Sequence, residues 1–314
     1  MRQIYGIGET VYDIIFKNNQ PQTAVPGGST FNAMISLGRC GLHPVMASEI
    51  GDDHVGQIIQ DFMRENGVST DLVTINQGTK THISLAFLNE QNDAQYQFYK
   101  DHASAKFEPK YPEFHENDIV VFGSFFAINP VIRDYTRTFL QRAHDAGSIL
   151  YYDINFRKNH IADLPVTRDN IIENMKLATV VRGSLEDFGF LYGLDIDDEK
   201  NTPLYIYKKY IEEVCPVFIC TNGGKAVEVF APNFHGVYPV KPIETVSTIG
   251  AGDNFNAGFA FSLYKKELRL DEIKNIAKPQ WDEIVATCQA FSSEVCQSFN
   301  NYVSKEFAEV YKGL

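Results

Sequence analysis

Residues 246–264 read VSTIGAGDNFNAGFAFSLY, a loop on Gly250, Ala251 and Gly252 that opens into a helix with Phe255, Phe259 and Leu263 on one face. The stretch ahead of the glycines is strand-like. Small residues before a helix let successive backbone N–H groups approach a ligand closely, and the helix dipole favours negative charge at the same spot. An acidic residue beside such an anion hole, here Asp253, repels an anion unless it takes a proton from an attacking hydroxyl. Taken alone, the spacing also fits a tight turn with Asp253 as a helix cap. It is not a Walker A loop, since no Gly-Lys-Ser or Gly-Lys-Thr follows, and it is not GxGxxG.

A second unit of the same kind lies near the N-terminus, PGGSTFNAMISLGRCG over residues 26–41. Phe31, Met34, Ile35 and Gly38 recur at helical spacing, Ser29 or Thr30 can cap the start and Gly41 can end the helix. Pro26, Gly27 and Gly28 then form a turn whose backbone groups are free to bond a polyol, with Asn32 one helical turn in. For the glycine pair alone, a plain structural turn fits as well.

Between and around these units, short apolar runs alternate with helical stretches, the pattern of βα units around a mostly parallel sheet. Buried strands are expected at Ile4 to Ile7, Val45 to Ser48, Ile119 to Phe122, Ile149 to Tyr152, Thr179 to Val181 and Val217 to Cys220. Helices are expected at His54 to Glu65, capped by Asp52 or Asp53, and at Val131 to Ala146, with Gly67 and Gly147 as stops. Trp281 to Ser298 and Lys305 to Tyr311 read as two closing helices. Ser84 to Leu88 and Gln95 to Tyr99 break the rhythm, alternating apolar and polar residues as an antiparallel hairpin. With Asp13 to Phe16 they suffice for a small separate sheet, or for an edge extension of the main one.

Taken together, the two glycine units resemble the N- and C-terminal signatures of the ribokinase-like carbohydrate kinases, the PfkB family. Between them, in the family's order, stand GDDHVG (residues 51–56), DINFR (153–157) and TNGG (221–224). The resemblance covers essentially the whole chain. It implies an α/β fold, a doubly wound and mostly parallel sheet flanked by helices, with a small β-sheet lid. The core would take residues 1–12, 26–80 and 103–314, and the lid residues 13–25 and 81–102. It also implies phosphoryl transfer from ATP to a primary hydroxyl, with Asp253 as base and the amides of Gly250, Ala251 and Gly252 holding the charge of the transferred group.

By the same resemblance Asp13, Gly27, Gly28 and Asn32 fall on the sugar hydroxyls, Arg157 near the phosphates, and Thr221, Gly223 and Ser184 on the nucleotide. Asp187, in RGSLED, replaces the glutamate that serves magnesium (Mg2+) through water. Ala226 stands where a last glycine is expected. Ser247 stands where the family carries an aspartate tied to a monovalent cation, so the resemblance does not carry a potassium (K+) requirement over to this chain. The stretch FYKDHASA (98–105) and GSFFA (123–127) resemble fructokinases, which makes D-fructose, phosphorylated at O6, the expected acceptor. Kinases for 2-keto-3-deoxygluconate, ribose or nucleosides share the catalytic residues, and a silent sugar-binding protein on the same fold is the rival of another class. Phe16, Phe98 and Tyr99 would close over the sugar, pack the lid, or bury it against a second subunit in a homodimer.

Composition narrows the partners. The chain has 314 residues, enough for one large α/β domain. Its formal charge of -12 repels polyanions at long range, so nucleic acid is not expected as a partner. The five cysteines show no CxxC pairing and read as thiols. No apolar run reaches about 18 residues and no signal-like N-terminus is seen, so no membrane partner and a cytoplasmic location are expected.

Overall fold

The computed structural model describes residues 2–90, 94–99 and 110–313. Lys100 to Ala105 of the FYKDHASA stretch, and residues 91–93 of the hairpin loop, lie outside the described residues. The chain divides into two compact units.

One unit takes residues 113–242 and 266–286 with Arg2; the other takes residues 3–112, 243–265 and 287–314. The second of these contains β1 (Ile4–Ile7), β4 (Val45–Gly51) and β5 (Ser69–Asn76), three parallel strands in the order β1-β4-β5. It also contains β2 (Val11–Lys17), β3 (Gln20–Gly27), β6 (Ile83–Leu88) and β7 (Ala94–Tyr99), a separate four-stranded sheet in the order β3-β2-β6-β7. The expected hairpin is present as the antiparallel pair β6 and β7, and Asp13 to Phe16 lie in β2, parallel to β6. Helices α1 (Ser29–Arg39) and α2 (His54–Glu65) precede and follow β4. Asp53 caps α2 by accepting from the Gly56 amide at 3.0 Å, as its position predicts.

Alternation along β2 buries Val11, Asp13 and Ile15 and leaves Tyr12, Ile14 and Phe16 half-covered on the other face. Ile15 packs with Ala86, Leu88 and Ile249, so the inner face of the small sheet rests on the loop that leads to Gly250. Phe16 therefore points away from Asp13, stacked on Phe87 with ring centroids 5.0 Å apart. Of the three aromatic residues considered for closing over a ligand, Phe98 alone shares Asp13's face, paired across from Ser84.

The other unit holds β8 (Ile119–Gly123), β9 (Ile149–Asp153), β10 (Val180–Ser184) and β11 (Val217–Asn222), all parallel, followed by the antiparallel β12 (Ala226–Ala231) and β13 (Phe234–Pro239). Their apolar side chains are buried on both faces over β8 and β9, as parallel strands between helices require. Helices α3 (Arg133–Asp145), α4 (Leu164–Leu177), α5 (Leu185–Tyr192) and the single turn α6 (Pro203–Ile206) connect them. Helices α7 (Ala251–Lys265), α8 (Lys278–Cys296) and α9 (Lys305–Lys312) complete the chain.

Three expectations need correction. Pro26 and Gly27 are not a turn but the end of β3, an edge strand, where proline costs no ladder bond. The stretch before Gly250 is not a strand: the Val246 and Ser247 amides donate to the Cys296 carbonyl and the Ile249 amide to the Ser247 hydroxyl. Residues 130–132 form a 3-10 turn, so α3 begins only at Arg133. All five cysteines are free thiols, four of them buried. Among the described residues no helix is long and apolar enough to cross a membrane.

Candidate active site

Two groups of side chains, one in each unit, gather the residues singled out in the sequence. In the unit of α1 and α7, Gly28 occupies the cap position of α1 at φ 128°, and no side chain caps the helix. The Ser29 hydroxyl, an obvious cap by sequence, instead donates to Asp253 Oδ1 at 2.8 Å. Asn32, one turn along, donates from Nδ2 to Asp253 Oδ2 at 2.7 Å. Asp253 lies in the first turn of α7 and is buried, so each carboxylate oxygen is held by a donor from α1. This fixes the direction of its remaining lone pairs.

The loop ahead of Asp253 is shaped by a glycine that no other residue replaces easily. Gly250 has φ 78°, and a Cβ there would stand 2.7 Å from the Asn301 carbonyl oxygen. The Ala251 amide bends back to the Thr248 carbonyl at 3.3 Å. A helix start leaves its first amides without intrahelical acceptors, and in α7 the Asn254 amide closes back on the Gly250 carbonyl at 2.9 Å. Asn254 Nδ2 bridges the Gly250 and Asn301 carbonyls at 2.8 Å each, so an amide, not a carboxylate, faces the carbonyls of this loop. Ser247 is buried and its hydroxyl serves the Ile249 amide.

Asp13, on β2, is the second carboxylate of the group. The Ser84 hydroxyl donates to its Oδ1, and Asn301 Nδ2 donates to its Oδ2 at 3.0 Å. Burial pushes its carboxyl up from the usual 3.8 to about 6, helped by the negative charges of Asp253 and Glu9 and opposed by the Ser84 and Asn301 hydrogen bonds. Gly27 leaves room for this carboxylate: a Cβ there would fall 2.0 Å from Asp13 Oδ2. Gly28 lies against the backbone, with a Cβ meeting the Glu9 carbonyl at 2.2 Å. The structure thus brings together Asp13, Gly27, Gly28, Asn32, Asp253 and the Gly250 to Gly252 loop. Asn32 Oδ1 is buried and finds no donor among the described residues.

The other unit collects the second group at the carboxyl ends of β9, β10 and β11, where open α/β sheets bind ligands. Arg182 Nη1 donates to both oxygens of Asp153 at 2.9 and 3.1 Å, and its Nη2 donates to the Thr221 hydroxyl at 2.9 Å. Ser184 and Asp187 form a capping box at the start of α5: the Asp187 amide donates to the Ser184 hydroxyl at 3.1 Å and the Ser184 amide to Asp187 Oδ2 at 2.7 Å. Gly223, at φ 49° in the turn between β11 and β12, has open space where a Cβ would stand. Ala226 begins β12 opposite Asn222, so its methyl group sits in a regular ladder. Arg157 stands two residues after Asn155, which has φ 39°, and is exposed.

The magnesium implied by the sequence has a limited donor set here. Among the described residues no three carboxylate, histidine or cysteine side chains are grouped to hold a metal ion unaided. Asp187 spends Oδ2 on the capping box and leaves Oδ1 outside it. Burial and then Asp153 push its carboxyl up, while Arg157 leads the groups that pull it down. Such a site fits a metal that keeps most of its waters and is bound chiefly through substrate phosphates.

Sequence reasoning missed four partners. Ser29 was visible only as a cap, and Ser84 only as an inward residue of a hairpin. Arg182 carried a signal, an arginine in a buried apolar strand, which requires an acid across the sheet. Asn301 lies in a segment with no motif.

The chain resembles known proteins over nearly its whole length. The family model "pfkB family carbohydrate kinase" matches residues 1–306. Fructokinase-1 of Zea mays is 24% identical over 264 residues, covering 81% of this chain and 78% of the relative. Fructokinase-1 of Oryza sativa subsp. japonica is 26% identical over 241 residues, covering 73% and 71%. In structure the chain is similar to a Vibrio cholerae O395 fructokinase bound to fructose, ADP and calcium (TM-score 0.83, 20% identity, 99% of each chain). It is also similar to an aminoimidazole riboside kinase of Salmonella enterica (TM-score 0.79, 17% identity, 99% and 100%). The doubly wound, ribokinase-like fold expected from the sequence is thereby borne out. With the match running through both glycine units and the segments between them, the chain belongs to the pfkB family of carbohydrate kinases.

Proposed function

We propose that this carbohydrate kinase transfers the γ-phosphoryl group of ATP to the 6-hydroxyl of D-fructose, with Asp253 as the base. The observation that carries the acceptor reading is the chemistry of the group around Asp13. Asp13, Asp253 and the unpartnered Asn32 Oδ1 are all hydrogen-bond acceptors, two of them carboxylates. A ligand rich in O–H donors matches that set, and a sugar is one. Fructose is favoured by the likeness to the maize and rice fructokinases and to the Vibrio structure.

In the reaction the acceptor hydroxyl gives its proton to Asp253 as its oxygen bonds the γ-phosphorus, and the bond from that phosphorus to the bridging oxygen breaks, releasing ADP. Ser29 and Asn32 keep the carboxylate aimed. The Gly250 to Gly252 amides receive the charge that spreads over the transferred group. Arg157, Thr221, Gly223 and Ser184 bind the nucleotide, the guanidinium pairing with phosphate oxygens. Asp187 would hold, through water, the magnesium carried on the nucleotide, which would supply charge neutralisation at the phosphates. Residues 13–25 and 81–102 act as the lid, and Phe98 on its inner face excludes water. Its outer face, with Tyr12, Ile14, Phe16 and Phe87, pairs with a second copy as a homodimer.

The test is ADP release from MgATP with fructose, ribose, 2-keto-3-deoxygluconate, glucose and adenosine, in sodium and in potassium salts. Turnover is expected on fructose and at equal rates in both salts, because Ser247, whose hydroxyl serves the Ile249 amide, stands where the resemblance places the aspartate tied to a monovalent cation. Turnover on adenosine alone would replace the sugar with a nucleoside. A second expectation follows from Asp13, which must be ionised to accept two hydroxyl donors. With its carboxyl near pH 6 in the folded protein, fructose affinity measured by calorimetry should be constant above about pH 7. It should fall toward tenfold per pH unit below the midpoint. The unliganded fold has the opposite preference: a raised carboxyl contributes stability below its unfolded value that is lost as pH rises through about 6. Affinity independent of pH between 5 and 8 would remove Asp13 from the acceptor site.

A further inference from the structure

Asn301 lies beyond the end of α8 and is fully buried. Its side-chain amide donates to Asp13 Oδ2, while its backbone carbonyl accepts from Asn254 Nδ2, the same group that holds the Gly250 carbonyl. Gly250 packs directly on that carbonyl, and Gly27 opens onto the amide nitrogen, 3.1 Å from where a Cβ would be. The next two residues are clamped to α1: the Val303 amide donates to the Ser36 hydroxyl at 3.2 Å, and Arg39 reaches the Val303 carbonyl at 2.6 Å and lies over the Tyr302 ring at 4.6 Å. The amide cannot drift without moving that segment.

One atom of this residue argues against a purely structural part. Asn301 Oδ1 is buried with no donor among the described residues. An apolar side chain of the same volume would fill the space without that cost, and what the amide adds over it is the nitrogen that donates to Asp13. We infer that Asn301 is a positioning residue that fixes the orientation of Asp13 toward the acceptor and ties it to the loop that carries Asp253. Its hydrogen bond also favours the ionised carboxylate that accepts the sugar's donors. The charged or titratable groups around Asp13 are Asp253, Glu9, itself bonded to His82 at 3.1 Å, and Tyr302. All except Tyr302 and His82 oppose ionisation as anions, which leaves Asn301 and Ser84 as the groups that sustain it.

The inference rests on the acceptor-site reading, and two measurements separate them. In Asn301→Leu the midpoint of Asp13, followed by carboxyl 13C NMR titration of the unliganded protein, should rise by about one unit on loss of a charge-assisted hydrogen bond. In the same variant KM for fructose at pH 7 should rise about tenfold, with kcat falling much less. Asn301→Asp, of the same shape, should move the midpoint in the same direction and further, and it serves if the leucine variant does not fold. A folded variant with an unmoved Asp13 midpoint overturns the inference whatever the acceptor. A raised midpoint in a protein that does not turn over fructose keeps Asn301 in its role and rejects fructose instead.

Discussion

Replacing Asp253 by asparagine should lower kcat by at least about a hundredfold while leaving fructose affinity within a few-fold of the original. The general base contributes on the order of 10² to 10⁴ in such proton transfers. Asparagine keeps the shape of the side chain, and Ser29 can still donate to its oxygen at the 2.8 Å spacing seen for Asp253 Oδ1. What it cannot keep is the second acceptor: Asn32 Nδ2, 2.7 Å from Oδ2, would face an amide nitrogen or force the group to turn over. Both consequences fall on the chemical step. Asp13, which carries the affinity, has separate supports in Ser84 and Asn301 and does not lose them. Steady-state kinetics give kcat, and calorimetry without ATP gives the affinity. A normal kcat would exclude Asp253 as the base; a loss of affinity equal to the loss of kcat would make it a binding group.

The contrast between Ser29 and Ser184 shows where sequence reading succeeds and stops. Ser184 and Asp187 follow the capping-box spacing, a local rule, and the box is present at α5. Ser29 follows a cap pattern just as well, yet its hydroxyl serves a carboxylate 224 positions away. Local propensity decides such a residue only when nothing distant competes for it. The parallel strands and long helices were legible because burial on both faces, or on one stripe, writes a period into the sequence. Strand β3 was not, because its prolines signal a turn and the edge position that tolerates them is a tertiary fact. The order of five short segments identified the glycine loops, whereas Asn301 has neither period nor motif and became visible only through what it touches.

A distinction between backbone and side-chain neighbours separates the two adjacent glycines, and it yields the second large effect. At Gly28 a methyl group meets the backbone carbonyl of Glu9 at 2.2 Å, in a conformation of φ 128° that alanine resists. Neither can yield cheaply, so Gly28→Ala should lower the melting temperature markedly. At Gly27 the obstacle is a side chain, Asp13 Oδ2 at 2.0 Å, with Asn301 Nδ2 behind it at 3.1 Å. A carboxylate can swing aside. Gly27→Ala should therefore fold, with a melting temperature far closer to the original than that of Gly28→Ala, but with Asp13 turned from its partners. Each charge-assisted hydrogen bond lost or misaimed costs about 1.5–3 kcal/mol. Disturbing two or more should raise KM for fructose by about a hundredfold or more, and the acid limb of fructose binding should move to higher pH as the Asn301 bond is broken. If Gly27→Ala binds fructose normally, the Asp13 carboxylate is not what holds the sugar; if it unfolds like Gly28→Ala, the glycine is there for the strand and not for the site.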